Sequence, residues 1–487
     1  MKPISSAIAI GTGGPFGAEG PIIATGGAFG SVAGQIMRIT ASERKVMLTA
    51  GATAGMAAIF GTPLAAVMLA IELLLFEFSP RSIIPVALAC VTGAAMHFAL
   101  FGSEAVFAMP DIPAPTSIAL ITYVICGVIL GVIAALISKS IYLVEDLFEK
   151  LPVHWMWWPA IGAVAVGVVG YFAPYTLGVG YSNISALLSG NLTLGIVLGL
   201  CFLKFISWCI ALGSGTSGGT LAPLLTIGGA LGILLGMIII KLFPGSEINL
   251  PTCALIGMAS VFAGSTRALL TSIVFALEST MQPHGLLPLL GASIAAYFVS
   301  FFLMKHGTIM TEKINRRGVH TPDAFEPDIL QRVNVGAVIE DPEDIFSADN
   351  SLEDVREWMQ YNGQNIEAIP VVDENEAMVG IVKLDNIRQS NLPGNTPITA
   401  FVQKKNIYVY TDSKLSFAVD LMDRFKLDCL PVVERNNKTK VVGILSYKDV
   451  FAAYRHRSSE ENIYKRAISL RRQGYKFIVR GKQLLKG

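Results

Sequence analysis

The segment GPFGAEGP (14–21) combines residue types that suit an ion site, because one acid, Glu19, lies among glycines and prolines. Glycines allow close approach to the backbone, and Pro21 suits the first turn of a helix. The leading N–H groups of a helix have no partner within it and attract anions. The segment therefore predicts an anion site made from backbone amides. In the simpler alternative, Glu19 is only an acid placed favourably at a helix N-terminus.

A second stretch, GSGTSGGTLAP (213–223), has the same design, and an apolar run follows it from Leu224. Two such helix starts aimed at one point would form a dehydrated anion site, as expected of transporters built from inverted repeats with broken helices. Two flexible glycine-rich connections are the simpler alternative. A dinucleotide-binding loop does not fit, because a G-x-G-x-x-G motif beginning at Gly11 would need glycine in place of Phe16.

The composition indicates where such elements would lie. The chain has 487 residues, 52% of them hydrophobic and 15% charged, and its mean hydropathy is +0.56, which indicates a membrane protein. Some apolar runs approach the roughly 20 residues that cross a bilayer, and others are shorter or broken by glycine and proline. The sequence predicts a polytopic α-helical membrane protein with interrupted helices, whose apolar runs lie at 47–76, 82–101, 117–137, 160–172, 194–212, 224–240 and 285–304.

Charged residues become frequent after residue 304, which predicts a second, soluble region. The six cysteines and six histidines are scattered, so we expect neither a disulfide framework nor a metal site. By the positive-inside bias, the basic cluster after the last apolar run places that end of the chain in the cytoplasm. The cluster consists of Lys305, Lys313, Arg316 and Arg317.

Four segments resemble the CLC family of chloride channels and chloride/proton antiporters. GAEGP (17–21) resembles the family motif G-(K/R)-E-G-P, and GGTLAP (218–223) resembles G-x-F-x-P. GTPLAAVMLAIEL (61–73) and AGSTRALLTSIVFALEST (263–280) resemble the family's inner helices. The resemblance implies a CLC-type inverted-repeat fold, transport of chloride or a similar anion, and a homodimer in the lipid bilayer with one pathway in each subunit.

The same resemblance implies the residues of the site. Glu19 is then the gating residue, whose carboxylate competes with chloride and moves away when it is protonated. Burial favours the protonated form of such a group. The implied anion-binding positions are Gly17, Ala18, Glu19, Gly20, Gly219, Thr220, Leu221 and Met310.

Several positions depart from the family pattern. Ala18 replaces a basic residue, which weakens the positive potential at the outer mouth. Leu221 replaces phenylalanine, and Met310 replaces the chloride-coordinating tyrosine, so a hydroxyl donor is lost. Leu73 lies where antiporters commonly have a second, inward glutamate, which slightly favours a channel over a chloride/proton antiporter. We interpret Glu72 as a structural, hydrogen-bonded acid, and a substitute proton relay is the alternative.

The chain begins a few residues before GPFGAEGP, and we find no counterpart of the family's earlier G-S-G-I-P motif. We therefore expect this sequence to be internal to a longer gene product, with a degenerate family member as the alternative. If the missing helices are truly absent, a non-conducting nucleotide sensor or regulatory subunit is a further possibility.

The soluble region contains an internal repeat, because AIPVVDENEAMVGIVKLDNI (368–387) aligns with CLPVVERNNKTKVVGILSYKDV (429–450). Each copy predicts two short strands and a helix start, preceded by an amphipathic helix. The pattern resembles a pair of α/β CBS domains, at 333–392 and 396–455, which is a module that senses adenine nucleotides. Magnesium transporters also carry such pairs, so transport of a cation remains an alternative, although intramembrane acids are few.

The resemblance to CBS domains implies an adenine nucleotide as a possible ligand, and no other cofactor is expected. Ser446 and Asp449 match the positions that hold a ribose, whereas the first copy has Lys383 and Asn386 there. At most one nucleotide site is therefore expected. A structural dimerisation domain without a ligand is the alternative.

The predicted organisation is an anion-transport domain at 1–318, the CBS pair, and a basic tail at 456–487. The tail faces the anionic inner leaflet or is simply solvated. No constellation of nucleophile and base indicates an enzyme, and a nucleic-acid partner does not suit a membrane-tethered chain. We expect an integral multi-pass protein of the cell or inner membrane with a cytoplasmic C-terminus.

Overall fold

The computed structural model describes residues 2–304, 307–311, 330, 333–339, 345–362, 368–375, 377–402, 407–435 and 441–453. The chain divides into two compact units, Met1–Phe325 and Glu326–Gly487, and each is described by itself. The predicted basic tail and the basic residues Lys305, Lys313, Arg316 and Arg317 lie outside the described residues.

The first unit is helical where it is described. Six of its helical stretches are long and apolar enough to cross a membrane: Pro80–Phe101, Ser117–Glu149, Trp155–Phe172, Leu194–Gly213, Leu221–Leu242 and Pro283–Leu303. Three shorter apolar helices occur at Pro63–Leu75, Leu250–Thr266 and Leu269–Thr280. This mixture of long and short apolar helices is the polytopic, interrupted architecture that the composition predicts.

Fourteen α-helices of this unit are described, and the longest connection between them is 102–116. They are α1 (Lys2–Gly11), α2 (Glu19–Ile36), α3 (Ala41–Phe60), α4 (Pro63–Leu69), α5 (Pro80–Phe101), α6 (Ser117–Glu149), α7 (Trp158–Phe172), α8 (Tyr181–Leu188), α9 (Leu194–Leu198), α10 (Lys204–Gly213), α11 (Leu221–Leu242), α12 (Leu250–Thr266), α13 (Leu269–Thr280) and α14 (Leu286–Leu303). A π-helical stretch, Ala70–Leu75, continues α4, and another, Gly199–Leu203, joins α9 to α10.

Two copies of a three-helix arrangement occur in this unit, α2–α3–α4 and α11–α12–α13. In each copy the first helix packs on the second, and a short helix follows. The second helix of each copy ends at a residue in the left-handed backbone conformation, Gly61 (φ 60°) or Arg267 (φ 62°). This duplication is the one that an inverted-repeat transporter requires.

Backbone-to-backbone packing holds each helix pair together. A side chain at Gly26 of α2 would overlap the carbonyl group of Gly51 in α3, and a side chain at Gly232 of α11 would overlap that of Cys253 in α12. Helices in membranes approach this closely where glycine leaves room. The starts of α2 and α11, which carry the two motifs, therefore lie on tightly packed helix pairs.

Two acids join the copies to each other. Glu72, in the π-helical stretch after α4, accepts hydrogen bonds from the amides of Leu270 and Thr271 in α13, at 2.9 and 2.8 Å. Glu278, in α13, accepts from the amides of Leu64 and Ala65 in α4, at 3.0 and 2.8 Å. Each acid thus satisfies the first amides of the helix opposite. These bonds fit the interpretation of Glu72 as a structural acid.

The second unit contains two three-stranded sheets of the same topology. In each sheet the first strand pairs parallel with the second, which pairs antiparallel with the third. The strands are β1 (Phe346–Ser347), β2 (Ala368–Val372), β3 (Met378–Lys383), β4 (Val409–Tyr410), β5 (Cys429–Val433) and β6 (Val441–Ser446), and the helices are α15 (Leu352–Asn362), α16 (Leu384–Arg388) and α17 (Leu415–Phe425). The predicted repeat is therefore present in the backbone.

Apolar packing joins the two repeats of this unit. Each repeat has a core of its own, and a third cluster includes residues of β2, β3, β5 and β6. The register pairs Lys383 with Ala368 in the first repeat and Ser446 with Cys429 in the second. Lys383 and Ser446 are therefore equivalent positions in the two repeats.

Candidate anion site at two helix starts

A pair of backbone hydrogen bonds brings the two glycine-rich motifs together. The amide of Gly17 donates to the carbonyl of Gly219, and the amide of Gly219 donates to the carbonyl of Gly17, each at 3.0 Å. Glu19 begins α2 two residues after one glycine, and Leu221 begins α11 two residues after the other. The structure thus brings the two predicted helix starts to one point, in matching register.

Both helix starts leave backbone amides free of side-chain caps. The N-cap residues Ala18 and Thr220 make no side-chain hydrogen bond to their helices. Pro21 and Pro223 have no N–H group, and the next amide of each helix bonds back to its N-cap carbonyl at 3.3 Å. In each helix the first two amides come before the proline, and in α2 one of them belongs to Gly20. Such amides favour a negative charge in front of them.

The carboxyl group of Glu19 lies where an anion would meet these amides. The residue is 1% exposed, and its Oε2 atom lies against Gly17 and Gly219 without a hydrogen-bond partner. The acid on one helix start therefore occupies the space in front of both.

Tyr181, which sequence reasoning missed, contacts the acid directly. Its hydroxyl group donates a hydrogen bond of 3.1 Å to Oε1 of Glu19. The ring packs edge-on against Phe60 and Phe107, with ring centroids 5.8 and 5.9 Å away. The two partners are 162 positions apart, so no local spacing could reveal the pair. The one sequence signal is the glycine-rich GVGY segment that begins α8.

The loop before Tyr181 is tied down on two sides. The fully buried Lys204 donates from Nζ to the carbonyls of Thr176 and Gly178, at 3.1 and 3.2 Å. The amide of Gly178 donates to the carbonyl of Gly13, just before the first motif, at 3.1 Å. Tyr181 is thereby held in a fixed position relative to the segment that carries Glu19.

Met310 lies apart from this hydrogen-bonded group. It is 38% exposed, and its amide donates to the hydroxyl of Thr308 at 3.2 Å. Within the part of the chain that the structure describes, no hydrogen bond or ring contact joins Met310 to Glu19. A role for Met310 in the anion site therefore stays a prediction.

Ser446 and Asp449 form a helix cap in the second unit. The amide and hydroxyl of Ser446 donate to Oδ2 of Asp449 at 2.7 and 2.8 Å, at the start of a helix over 447–453. In the first repeat, the equivalent position Lys383 forms an ion pair with Asp428 of the second repeat. The predicted ribose-binding pair is thus brought together, and its binding role stays a prediction.

The fold and the site define a class of protein. Duplicated broken helices and a buried acid at two converging, uncapped helix starts are features of membrane transporters for small anions. The chain belongs to the CLC family, since the family described as "Voltage gated chloride channel" matches residues 1–301. The CBS domain family matches residues 335–391 and 398–456, so a CBS pair follows the membrane domain.

Named relatives of the chain are exchangers. Over 325 residues it is 30% identical to the H(+)/Cl(-) exchange transporter ClcA of Vibrio cholerae serotype O1 (strain M66-2). The aligned region covers 63% of this chain and 69% of the relative. A slow cyanobacterial Cl-/H+ antiporter matches 64% of this chain and 73% of its own, at 25% identity and a TM-score of 0.59.

A CLC-type fluoride/proton antiporter is also similar, at 25% identity and a TM-score of 0.51, over 59% of this chain and 71% of its own. These relatives support the antiporter alternative better than the slight preference for a channel that Leu73 suggested.

Proposed function

We propose that this protein exchanges chloride or a similar small anion for protons across a membrane, and that Glu19 is the group that couples the two. One observation carries the proposal: the buried Glu19 carboxyl group lies in front of both helix starts, with Oε2 unpaired. The names of the relatives support exchange over passive flow.

The geometry gives a simple coupling scheme. An ionised Glu19 is attracted to the free amides of α2 and α11 and excludes an anion from them. A proton on Oε2 removes the charge and with it most of that attraction, so the side chain can leave. An anion then takes the place of the carboxylate at the amides. When the proton is released, the carboxylate returns and displaces the anion.

A flux assay in liposomes tests this scheme. With purified protein, we expect an outward chloride gradient to drive protons uphill. In Glu19→Gln, chloride flux should persist while proton movement is lost, since the amide carries no exchangeable charge. Glu104→Gln, which changes an exposed acid of the same unit, is the matched control.

Each contrary result has a definite meaning. Chloride efflux without proton movement in the wild-type protein would identify a channel. Absence of anion flux in every variant, with nucleotide binding retained, would favour a non-conducting sensor. Glu19→Gln with unchanged proton coupling would remove Glu19 from its role while leaving transport intact.

We also propose that the protein is a homodimer, that its second unit lies in the cytoplasm, and that Ser446 and Asp449 bind the ribose of an adenine nucleotide. The CBS match supports the nucleotide class. Calorimetric titration of the full chain with ATP tests the site. Asp449→Asn should abolish binding, whereas Asp354→Asn, which removes a similar cap next to Ser351 in the first repeat, should not.

A further inference from the structure

We propose that Tyr181 is a positioning residue that holds the Glu19 carboxylate in front of the two helix starts and thereby sets the proton concentration at which the anion pathway opens. This inference rests on the proposed role of Glu19. It adds a residue 162 positions away that neither motif contains.

The hydrogen-bond pattern orients the tyrosine as a donor. The hydroxyl group of Tyr181 forms a hydrogen bond of 3.1 Å to Oε1 of Glu19. An ionised carboxylate oxygen can only accept, so the phenol proton points to Oε1. A donor aimed at a carboxylate stabilises the charged form more than the neutral acid.

The two carboxyl oxygens of Glu19 then have different tasks. Oε1 receives the hydrogen bond from Tyr181, while Oε2 has no partner and is free to take a proton. Protonation at Oε2 leaves the phenol intact and weakens the bond at Oε1, because the acceptor is no longer charged. Among the described residues, Tyr181 is the one titratable group whose interaction with Glu19 is seen.

The tyrosine cannot follow the carboxyl group when the gate opens. Its ring is enclosed by Phe60 and Phe107, and Phe60 in turn packs edge-on against Phe275 at 5.0 Å. The buried cation Lys204 anchors the loop that precedes it. Movement of the Glu19 side chain therefore breaks its hydrogen bond to Tyr181. The bond stabilises only the position in which the carboxylate lies in front of the two helix starts.

Tyr181→Phe removes the hydroxyl and keeps the ring. We expect the proton concentration for half-maximal chloride flux to fall roughly tenfold, so the pathway opens at a pH about one unit higher. Tyr123→Phe is the control, because it removes another buried hydroxyl, which accepts from the amide of Asn249. The control should leave the pH of half-maximal flux unchanged.

A second background separates positioning from a general structural effect. In Glu19→Ala there is no carboxylate to hold, so adding Tyr181→Phe should change neither the flux nor its pH dependence. A shift of the same size in the Glu19→Ala background would overturn the inference. Uniform 3-fluorotyrosine makes the phenol a stronger donor and should move the pH of half-maximal flux downward, a measurement that does not depend on the folding of Tyr181→Phe.

The outcomes also separate this inference from the proposed function. Loss of proton coupling in Glu19→Gln, with an unchanged pH profile in Tyr181→Phe, would reject the tyrosine and keep the exchanger. Unchanged proton coupling in Glu19→Gln would reject the role of Glu19 and the inference with it.

Discussion

The starts of α2 and α11 share a backbone arrangement and differ in the side chain at the first helical position. Glycines two residues earlier form the paired hydrogen bonds, and prolines two residues later end each set of free amides. At the first position, one start carries Glu19 and the other carries Leu221. The duplicated backbone can thus supply amides to an anion from both helix starts, while the one titratable side chain, Glu19, comes from α2 alone.

The CBS pair shows the same division between copies. Lys383 and Ser446 end equivalent strands, yet one pairs with Asp428 across the repeats and the other caps a helix. In both units the duplicated part is backbone geometry, and the part that differs is one polar side chain. The duplication gives the two copies the same backbone shape, and the side chains that differ make the two copies chemically unequal.

The largest expected effect comes from breaking the pair of backbone hydrogen bonds between Gly17 and Gly219, called here the glycine bridge, which joins the two helix starts. A methyl group at Gly219 would lie 2.5 Å from the carbonyl oxygen of Gly17 and 2.8 Å from Oε2 of Glu19. We expect Gly219→Ala to lower chloride flux roughly 100-fold, as ångström-scale misplacement in a site does. Gly195→Ala, at a position with open space, is the control. Normal flux in Gly219→Ala would show that the bridge is dispensable.

A smaller effect is expected where the acids tie the copies together. Glu72→Gln and Glu278→Gln each weaken a pair of charge-assisted bonds to helix amides, and we expect each to lower the free energy of unfolding by about 2 kcal/mol. Thermal denaturation in detergent measures this. The proton-to-chloride ratio should stay the same in both variants. Loss of proton coupling in Glu72→Gln alone, with stability retained, would instead identify Glu72 as the inner relay.

Adding an acid to the second helix start would remove the difference between the starts. Leu221→Glu should lower chloride flux roughly tenfold at neutral pH, because a second carboxylate competes for the same amides, and acid should restore the flux. Flux measured at both pH values tests this, with Leu221→Gln as the uncharged control. Equal losses in the two variants would show that the effect is steric.

The smallest effect concerns a cap in the first CBS repeat. Hydrogen bonds from Ser351 hold the pKa of Asp354 below its usual value. The contribution of these hydrogen bonds to the free energy of unfolding is therefore complete above the pKa that Asp354 has in the unfolded chain. It is lost as pH falls through the lower pKa that Asp354 has in the folded state. We expect the protection factors of amides in β1–β3, which are the intrinsic exchange rates divided by the observed rates at the same pH, to fall over that acidic range in the wild type and to change less in Asp354→Asn. An identical acid response in both would remove Asp354 as the cause.

The helix starts could be predicted from sequence because their signals are local. Glycine and proline at fixed offsets before an apolar run specify an uncapped helix start in GPFGAEGP and again in GSGTSGGTLAP. The CBS repeat is visible for the same reason, since its strands and turns lie within about 20 residues of one another.

What sequence reasoning missed depends on contacts between distant segments. The glycine-rich GVGY segment marks the start of α8 but does not indicate that the Tyr181 hydroxyl meets Glu19, because the loop held by Lys204 determines that contact. The hydrogen-bond partners of Glu72 and Glu278 could not be predicted either, because they lie 198 to 214 positions away in the chain. Met310 shows the opposite case, in which a motif position carries an expectation that no described contact yet supports.

The crossed capping by Glu72 and Glu278 has a consequence for biogenesis. The leading amides of α4 obtain their acceptor from Glu278, a residue synthesised 214 positions after Leu64. Until the second copy has been synthesised, the leading amides of α4 lack this acceptor, which is unfavourable wherever water cannot reach them. A chain interrupted between the copies would keep that defect permanently, which would mark it for cellular quality control.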